Sequence, residues 1–379
     1  MNRISAQVFV LSVFLLGSCI TQFVPETRES KELLVVEGVI TDQPVPYTIK
    51  LSSTLPIGIR NMANPVTGYN VSITDDLGNR FIFEETDTGT YVSDPAKFRG
   101  MAGRFYALNI NSKTSAKNHN YESYPVEMKP VPPIDSIYYE KVEIPGDYRY
   151  KWREQPEGCQ VYLNTHDPAG QCKYYRWDYS ETWEFKLPYA VPNSKCWATS
   201  SSDKINIKST AGMAEPTIMR YPLKFVSNQS DRLKVKYSML VNQYSISEDE
   251  YNYWEKLQNV SEQVGGLYDI IPAAIESNVY CIDNPDEKVL GYFSVSAASS
   301  KRIFVKDHFN NLVDMYPVDE CNADTIWGDT YIPYLNATVW IIEESFYPQR
   351  YTVITYTRGC ADCTTRGTTQ EPSFWKDLQ

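Results

Sequence analysis

Short runs in which apolar and polar residues alternate, each closed by turn-forming residues, recur about every ten residues in the first part of the chain. This repeat constrains the fold more than any other feature. A side-chain period of two suits a half-buried strand and cannot give a helix one apolar face. Residues 33–40 form an apolar run stopped by Thr41, Asp42, Gln43 and Pro44. In the next run Tyr47, Ile49 and Leu51 share a face. Residues 69–74 alternate likewise, turn at 75–79 and return through 80–85. A turn at Asp87, Thr88 and Gly89 precedes 90–92, and 105–111 follow a break at Gly100 and Gly103. The aromatic content, 29 Tyr, 14 Phe and 8 Trp in 379 residues, favours sheet further. The pattern predicts an all-β, mostly antiparallel protein in which residues 33–129 form an Ig-like β-sandwich.

Pro130, Pro132 and Pro133 mark a stiff linker at 130–134. Residues 135–379 read as a larger β-sandwich or barrel-like domain with one inserted helix. Its strand patterns are 160–164, 174–185, 233–241, 289–296, 302–305 and 351–356. His166 and Asp167, ahead of Pro168 and Gly170, read as a turn. Residues 174–185 alternate aromatic and polar side chains, so Tyr175, Trp177 and Tyr179 share one face. If exposed, that face is a candidate ligand or partner contact; if covered, it is core. The helix is expected at 247–264. Ser247 and Glu250 have capping-box spacing, Glu248 and Asp249 suit the helix start, and Gly265-Gly266 closes it.

The N-terminus carries a targeting signal. Arg3 precedes a mostly apolar stretch that is too short to span a bilayer, and then come Leu16, Gly17, Ser18 and Cys19. This ending looks like a bacterial lipobox. Cleavage after Ser18 would leave Cys19 as the first residue, its sulfur carrying diacylglycerol and its freed amine a further acyl chain. At about 0.8 kcal/mol per buried methylene, such a group anchors a soluble domain firmly. Residues 1–18 are thus read as signal peptide and 19–32 as a polar tether.

Seven further cysteines remain: Cys159, Cys172, Cys196, Cys281, Cys321, Cys360 and Cys363. Export favours disulfides. The expected pairings are Cys360 or Cys363 with Cys321, and Cys159 or Cys172 with Cys196. Cys360 and Cys363 have C-x-x-C spacing, but they follow a strand pattern and enter a polar tail, which suits a structural role better than a redox one. The net charge of −11 argues against nucleic acid as a partner. His119, His166 and His308 lie in no metalloprotease pattern, and no Walker A or G-x-S-x-G motif occurs. The acidic group Asp314, Asp319, Glu320 and Asp324 lacks the order of a calcium loop. No catalytic, cofactor-binding or metal-binding residue is assigned, and the chain is expected not to be an enzyme.

Several of these segments taken together resemble a known family. They are residues 33–38 with 47–51, 134–137, 174–177, 291–293, and Cys360 to Gly367 with 372–375. The family is the lipoproteins catalogued as domain of unknown function 4249, typical of Bacteroidota-type outer membranes. The resemblance implies a non-catalytic accessory lipoprotein of a TonB-dependent nutrient transporter, lipid-anchored in the outer membrane; the side it faces is left open, with the cell surface ranked ahead of the periplasm. A stand-alone glycan- or peptide-binding lipoprotein is the alternative, and a hydrolase comes after it. It also implies possible O-glycosylation at Ser136 and Thr325, in the triplets 135–137 and 324–326.

Overall fold

The computed structural model describes residues 32–54, 64–113, 119–143, 157–228, 230–262, 275–309, 323–328 and 339–376. Along the chain the strands are β1 (Leu34–Ile40), β2 (Thr48–Ser53), β3 (Asn64–Pro65), β4 (Tyr69–Asp75), β5 (Arg80–Asp87), β6 (Thr90–Ser93), β7 (Phe105–Ser112), β8 (Tyr121–Ser123) and β9 (Val126–Glu127). Then come β10 (Ile134–Glu143), β11 (Glu157–His166), β12 (Tyr174–Lys186), β13 (Lys195–Ser201), β14 (Asn206–Ser209), β15 (Thr217–Ser227) and β16 (Lys236–Ser245). Helix α1 (Glu248–Glu262) is followed by β17 (Val279–Cys281), β18 (Leu290–Val295), β19 (Ala298–Val305), β20 (Ala323–Trp327), β21 (Trp340–Ser345) and β22 (Tyr351–Thr355). The protein is mostly β and largely antiparallel, as the alternation predicts.

The first lobe is a single 11-stranded sheet with the order β17-β8-β7-β4-β5-β6-β2-β1-β18, β3 pairing with β2 and β9 with β7. It curls into a nearly closed barrel. An Ig-like sandwich would have two facing sheets; here opposite walls of one sheet share the core. Alternation looks the same along the chain in both architectures, so the sequence does not separate them. Val36, Ile49, Leu51, Val71, Ile73, Leu108 and Phe293 fill the interior. Two of the strands come from beyond the proline-rich segment. β17 pairs with β8, and β18 pairs with β1 in parallel register, Val36 opposite Gly291. The lobe is therefore completed by residues 279–295 and is not contained within 33–129.

The second lobe is a sandwich. A sheet of order β10-β11-β15 faces one of order β13-β12-β16-β19, with β14 beside β12. Val161, Leu163, Leu223, Met239 and Val241 pack with the aromatic face of β12. The proline-rich segment is docked between the lobes. Met128 is fully buried, and the Pro132 carbonyl accepts from Gln243 Nε2 at 2.8 Å. A third sheet, β20-β22-β21, is small and separate.

Cys196 pairs differently from the expectation. Cys196 on β13 is joined to Cys363, with Cα atoms 5.8 Å apart. Cys360 is disulfide-bonded as well, so the two cysteines of the C-x-x-C do not close on each other. Cys159 and Cys172 are buried free thiols, as is Cys281. Cys159 lies on β11 in one sheet of the sandwich and Cys196 on β13 in the other. The Cys172 sulfur instead lies 3.7 Å from the Tyr174 carbonyl, in hydrogen-bond contact with it. Cys321 lies outside the described residues.

Candidate functional site

The aromatic face offered as a contact surface is core. Tyr175, Trp177 and Tyr179 are at most 2% exposed. Trp177 stacks on Tyr175 and packs on Tyr221 of β15, and its indole donates to Gln243 Oε1 at 2.9 Å. The sandwich places a second sheet over the face that the sequence left open. His166 ends β11 and pairs with Asp135 at 2.8 Å, while Asp167 forms the turn, accepting from Ala169 and Cys172 backbone N–H groups. Ser136 lies half-buried on β10 and accepts from Asn164 Nδ2 at 2.9 Å; Thr325 is exposed on β20. Cys19, Asp314, Asp319 and Glu320 lie outside the described residues.

The opposite face of β12 meets the helix. As the sequence predicts, Ser247 caps α1, accepting from the Glu250 N–H at 3.1 Å. The Glu250 side chain, however, has no hydrogen bond back to the Ser247 backbone and points inward. Its carboxylate is fully buried, accepts from Trp254 Nε1 at 3.1 Å and from the Ser294 hydroxyl, and lies 3.9 Å from Arg176 Nε. Arg176 in turn stacks over Tyr244 and Trp254. One carboxylate thus joins the helix, barrel strand β18 and sandwich strand β12. The capping-box spacing placed Glu250 at the helix start but could not reveal its partners, which are remote in sequence.

Burial pushes the Glu250 carboxyl above its ordinary value, although Arg176, Ser294 and Trp254 each pull it down. The folded chain therefore keeps this proton to higher pH than the unfolded chain does. The contribution to stability is fully present below the unfolded value of 4.5 and is lost as pH rises through the folded value. Glu250→Gln keeps an acceptor for Ser294 and Trp254 and cannot ionise. Urea midpoints at about pH 4 and about pH 7 should show the variant gaining on wild type at the higher pH. An unchanged difference between the two would contradict this account.

Two surface features remain as contact candidates. A cleft of about 590 Å³ opens between the lobes, lined by Glu37, Gln43 and Lys50 of the barrel and Asn242, Tyr244 and Ser300 of the sandwich. The lobes are held beside it by Ala298 N–H to Asp42 Oδ1 at 2.9 Å and Gln43 Nε2 to the Ala298 carbonyl at 2.8 Å. The second feature is an aromatic tip. At one end of the small sheet, Trp327 packs on Tyr351, and Phe346 and Tyr347 follow β21. Trp327, Phe346 and Tyr347 are 61%, 68% and 88% exposed, far above what a monomer's surface needs from large rings. The run 351–356 reads as a strand, but no signal in the sequence shows that Trp327, Phe346 and Tyr347 beside it are exposed.

Among the described residues, one grouping has the donor chemistry of a metal centre. His119, Cys281 and Glu287 place their ligand atoms within 4.8 Å of one another. No helix among the described residues is long and apolar enough to cross a membrane.

A barrel completed by a late parallel strand, locked to a sandwich through a buried carboxylate, defines a two-lobed β-protein whose open features include a junction cleft and an aromatic tip. The family model for the domain of unknown function DUF4249 matches residues 20–302, and the chain belongs to that family. Comparison with curated proteins finds no match. The family match ends before β20. The aromatic tip and the cysteine pattern at 360–367, which contributed to the resemblance in the sequence, therefore lie outside the matched region.

Proposed function

We propose that the chain is a non-catalytic lipoprotein, anchored through Cys19 in an outer membrane of the Bacteroidota type, and an accessory subunit of a TonB-dependent nutrient transporter. The observation that carries this reading is the aromatic tip. Trp327, Phe346 and Tyr347 are the residue types that anchor protein interfaces, and they are concentrated at one exposed end of a small sheet. The lipobox at 16–19 supports the membrane anchor, and the resemblance noted above supports the identity of the partner.

The test is mild detergent extraction of the chain at native expression, followed by identification of what co-purifies. A large outer-membrane β-barrel is expected with wild type. Trp327→Ala combined with Tyr347→Ala should reduce its recovery at least tenfold while the melting temperature stays within about 2 °C, since exposed rings contribute little to folding. Cys19→Ala should abolish labelling by an alkynyl fatty acid and release the chain from the envelope. A lone, monodisperse protein would rule out the transporter reading.

The junction cleft supports the second reading, a glycan- or peptide-binding lipoprotein acting alone. Its polar lining from both lobes suits an extended hydroxylated or amide-bearing ligand. Retention on glycan or peptide arrays that is lost in Asn242→Ala, and that persists without a transporter, would favour it.

A further inference from the structure

The barrel sheet does not close by strand pairing; the buried Asn278 side chain, just ahead of β17, bridges the gap to β18, donating to the Phe293 carbonyl at 2.7 Å and accepting from the Phe293 N–H at 2.9 Å. β17 and β18 are the two ends of its strand order, and the chain passes between them through residues 282–289. This connection is tied to the start of β8. Ile282 N–H donates to the Asn120 carbonyl at 2.8 Å, and Asn120 donates from its backbone N–H and its Nδ2 to Asp283 Oδ2 at 2.6 and 3.0 Å. Three side chains converge where the connection meets β8. Cys281 ends β17, directly opposite Tyr121. His119 precedes β8, and its Nδ1 lies 2.5 Å from Glu287 Oε2. The other oxygen of Glu287 accepts from the Tyr121 hydroxyl at 2.6 Å.

We propose that His119, Cys281 and Glu287 bind a zinc ion at the seam of the barrel, with the fourth position open to solvent. A thiolate, an imidazole and a carboxylate are the donors that zinc takes. The sulfur disfavours calcium and magnesium, which require oxygen ligands. Tetrahedral bonds of about 2.0–2.3 Å set neighbouring donor atoms about 3.5 Å apart, so a group already within 4.8 Å needs adjustment of about one ångström. Rotation of the partly exposed His119 and Glu287 side chains can supply it.

The surroundings match what metal sites use to orient their ligands. Tyr121 holds the carboxylate, donating its hydroxyl to Glu287 Oε1, while His119 lies against the other oxygen. Cys281 is buried, whereas the His119 side chain is 41% exposed, so one side of the site faces water. On binding, the thiol proton passes to solvent and the sulfur takes the metal in its place. His119 gives the Nδ1 lone pair, with its ring proton on Nε2. Sequence spacing could not reveal the site, because His119 and Glu287 are 168 positions apart.

The experiment uses the whole folded chain, stripped with chelator and titrated with Co²⁺ and then Zn²⁺. One equivalent of Co²⁺ should produce thiolate-to-cobalt charge-transfer absorption, and one equivalent of Zn²⁺ should remove it. Cys281→Ser should abolish the band. His119→Ala and Glu287→Gln should weaken Zn²⁺ binding at least tenfold, and Tyr121→Phe about tenfold. Zinc at a hundredfold excess over its Kd should raise the wild-type melting temperature by roughly 5 °C and leave His119→Ala unmoved. Should Cys281→Ser fail to fold, the wild-type band together with the His119→Ala melting response decides the matter. Absence of the band in wild type, or its persistence in Cys281→Ser, would overturn the proposal, the latter by pointing to another thiol. Metal-independent melting of wild type would leave a plain His119–Glu287 ion pair as the explanation of the geometry.

Discussion

Gly291→Ala should destabilise the chain by about 3–5 kcal/mol and open the barrel at β18. Gly291 has φ +83°, a region that an L side chain enters at a cost. The larger effect is contact. A Cβ at this position would lie 2.0 Å from the carbonyl oxygen of Val36, its partner in the parallel ladder. That obstacle is backbone, held from the other side by β2, with Val36 opposite Leu51. Neither side can move without breaking pairing, so the strain cannot relax through a rotamer change. Chemical denaturation reads the loss, and hydrogen exchange along 35–40 and 290–295 locates it. A variant as stable as wild type would mean that β18 does not lie against β1.

Removing the described disulfide should be about as costly. Cys196 and Cys363 close a loop with a sequence separation of 167. Loops of this size give about 2–5 kcal/mol when the crosslink is removed, chiefly through the greater freedom of the unfolded chain. The Cys196→Ser, Cys363→Ser double variant avoids a stray thiol and should lower the melting temperature by roughly 5–15 °C. The loss should be felt at the C-terminal tail, which lies on the sandwich. There Trp197 and Thr368 exchange backbone hydrogen bonds of 2.9 Å in both directions, and Arg366 pairs with Asp231 at 2.5 Å. Limited proteolysis should cut the tail of the variant first. Melting indistinguishable from wild type would show that these noncovalent contacts suffice.

The strands were legible because their alternation is local. The runs at 69–74, 80–85 and 174–185 match β4, β5 and β12 to within two residues at each end. The helix start was legible for the same reason: one hydroxyl at Ser247 meets an N–H three residues on. Its expected end at Gly265-Gly266 lies outside the described residues. What the sequence concealed depends on partners distant along the chain. Tyr175, Trp177 and Tyr179 have a face in any strand, but only the arrival of β11 and β15 makes that face core. Cys196 meets Cys363 rather than Cys159 because β13 lies beside the tail. Glu250 carries the residue type of a capping box, yet Arg176 and Ser294 draw it inward. The trio at the barrel seam joins two segments that no spacing rule connects.

The parallel pairing of β1 with β18 bears on how the polypeptide matures. Ribosomes deliver the amino end first, so β1 exists long before its second neighbour has been made. Until residues 290–295 arrive, one flank of that strand is bare backbone, able to pair with whatever chain it meets. Acquisition of the native state must therefore wait on a very late, very distant encounter, which is slow and exposes the nascent molecule to aggregation. A fragment ending near the prolines would lack both terminal staves of its barrel, and expression of that piece alone should yield insoluble material.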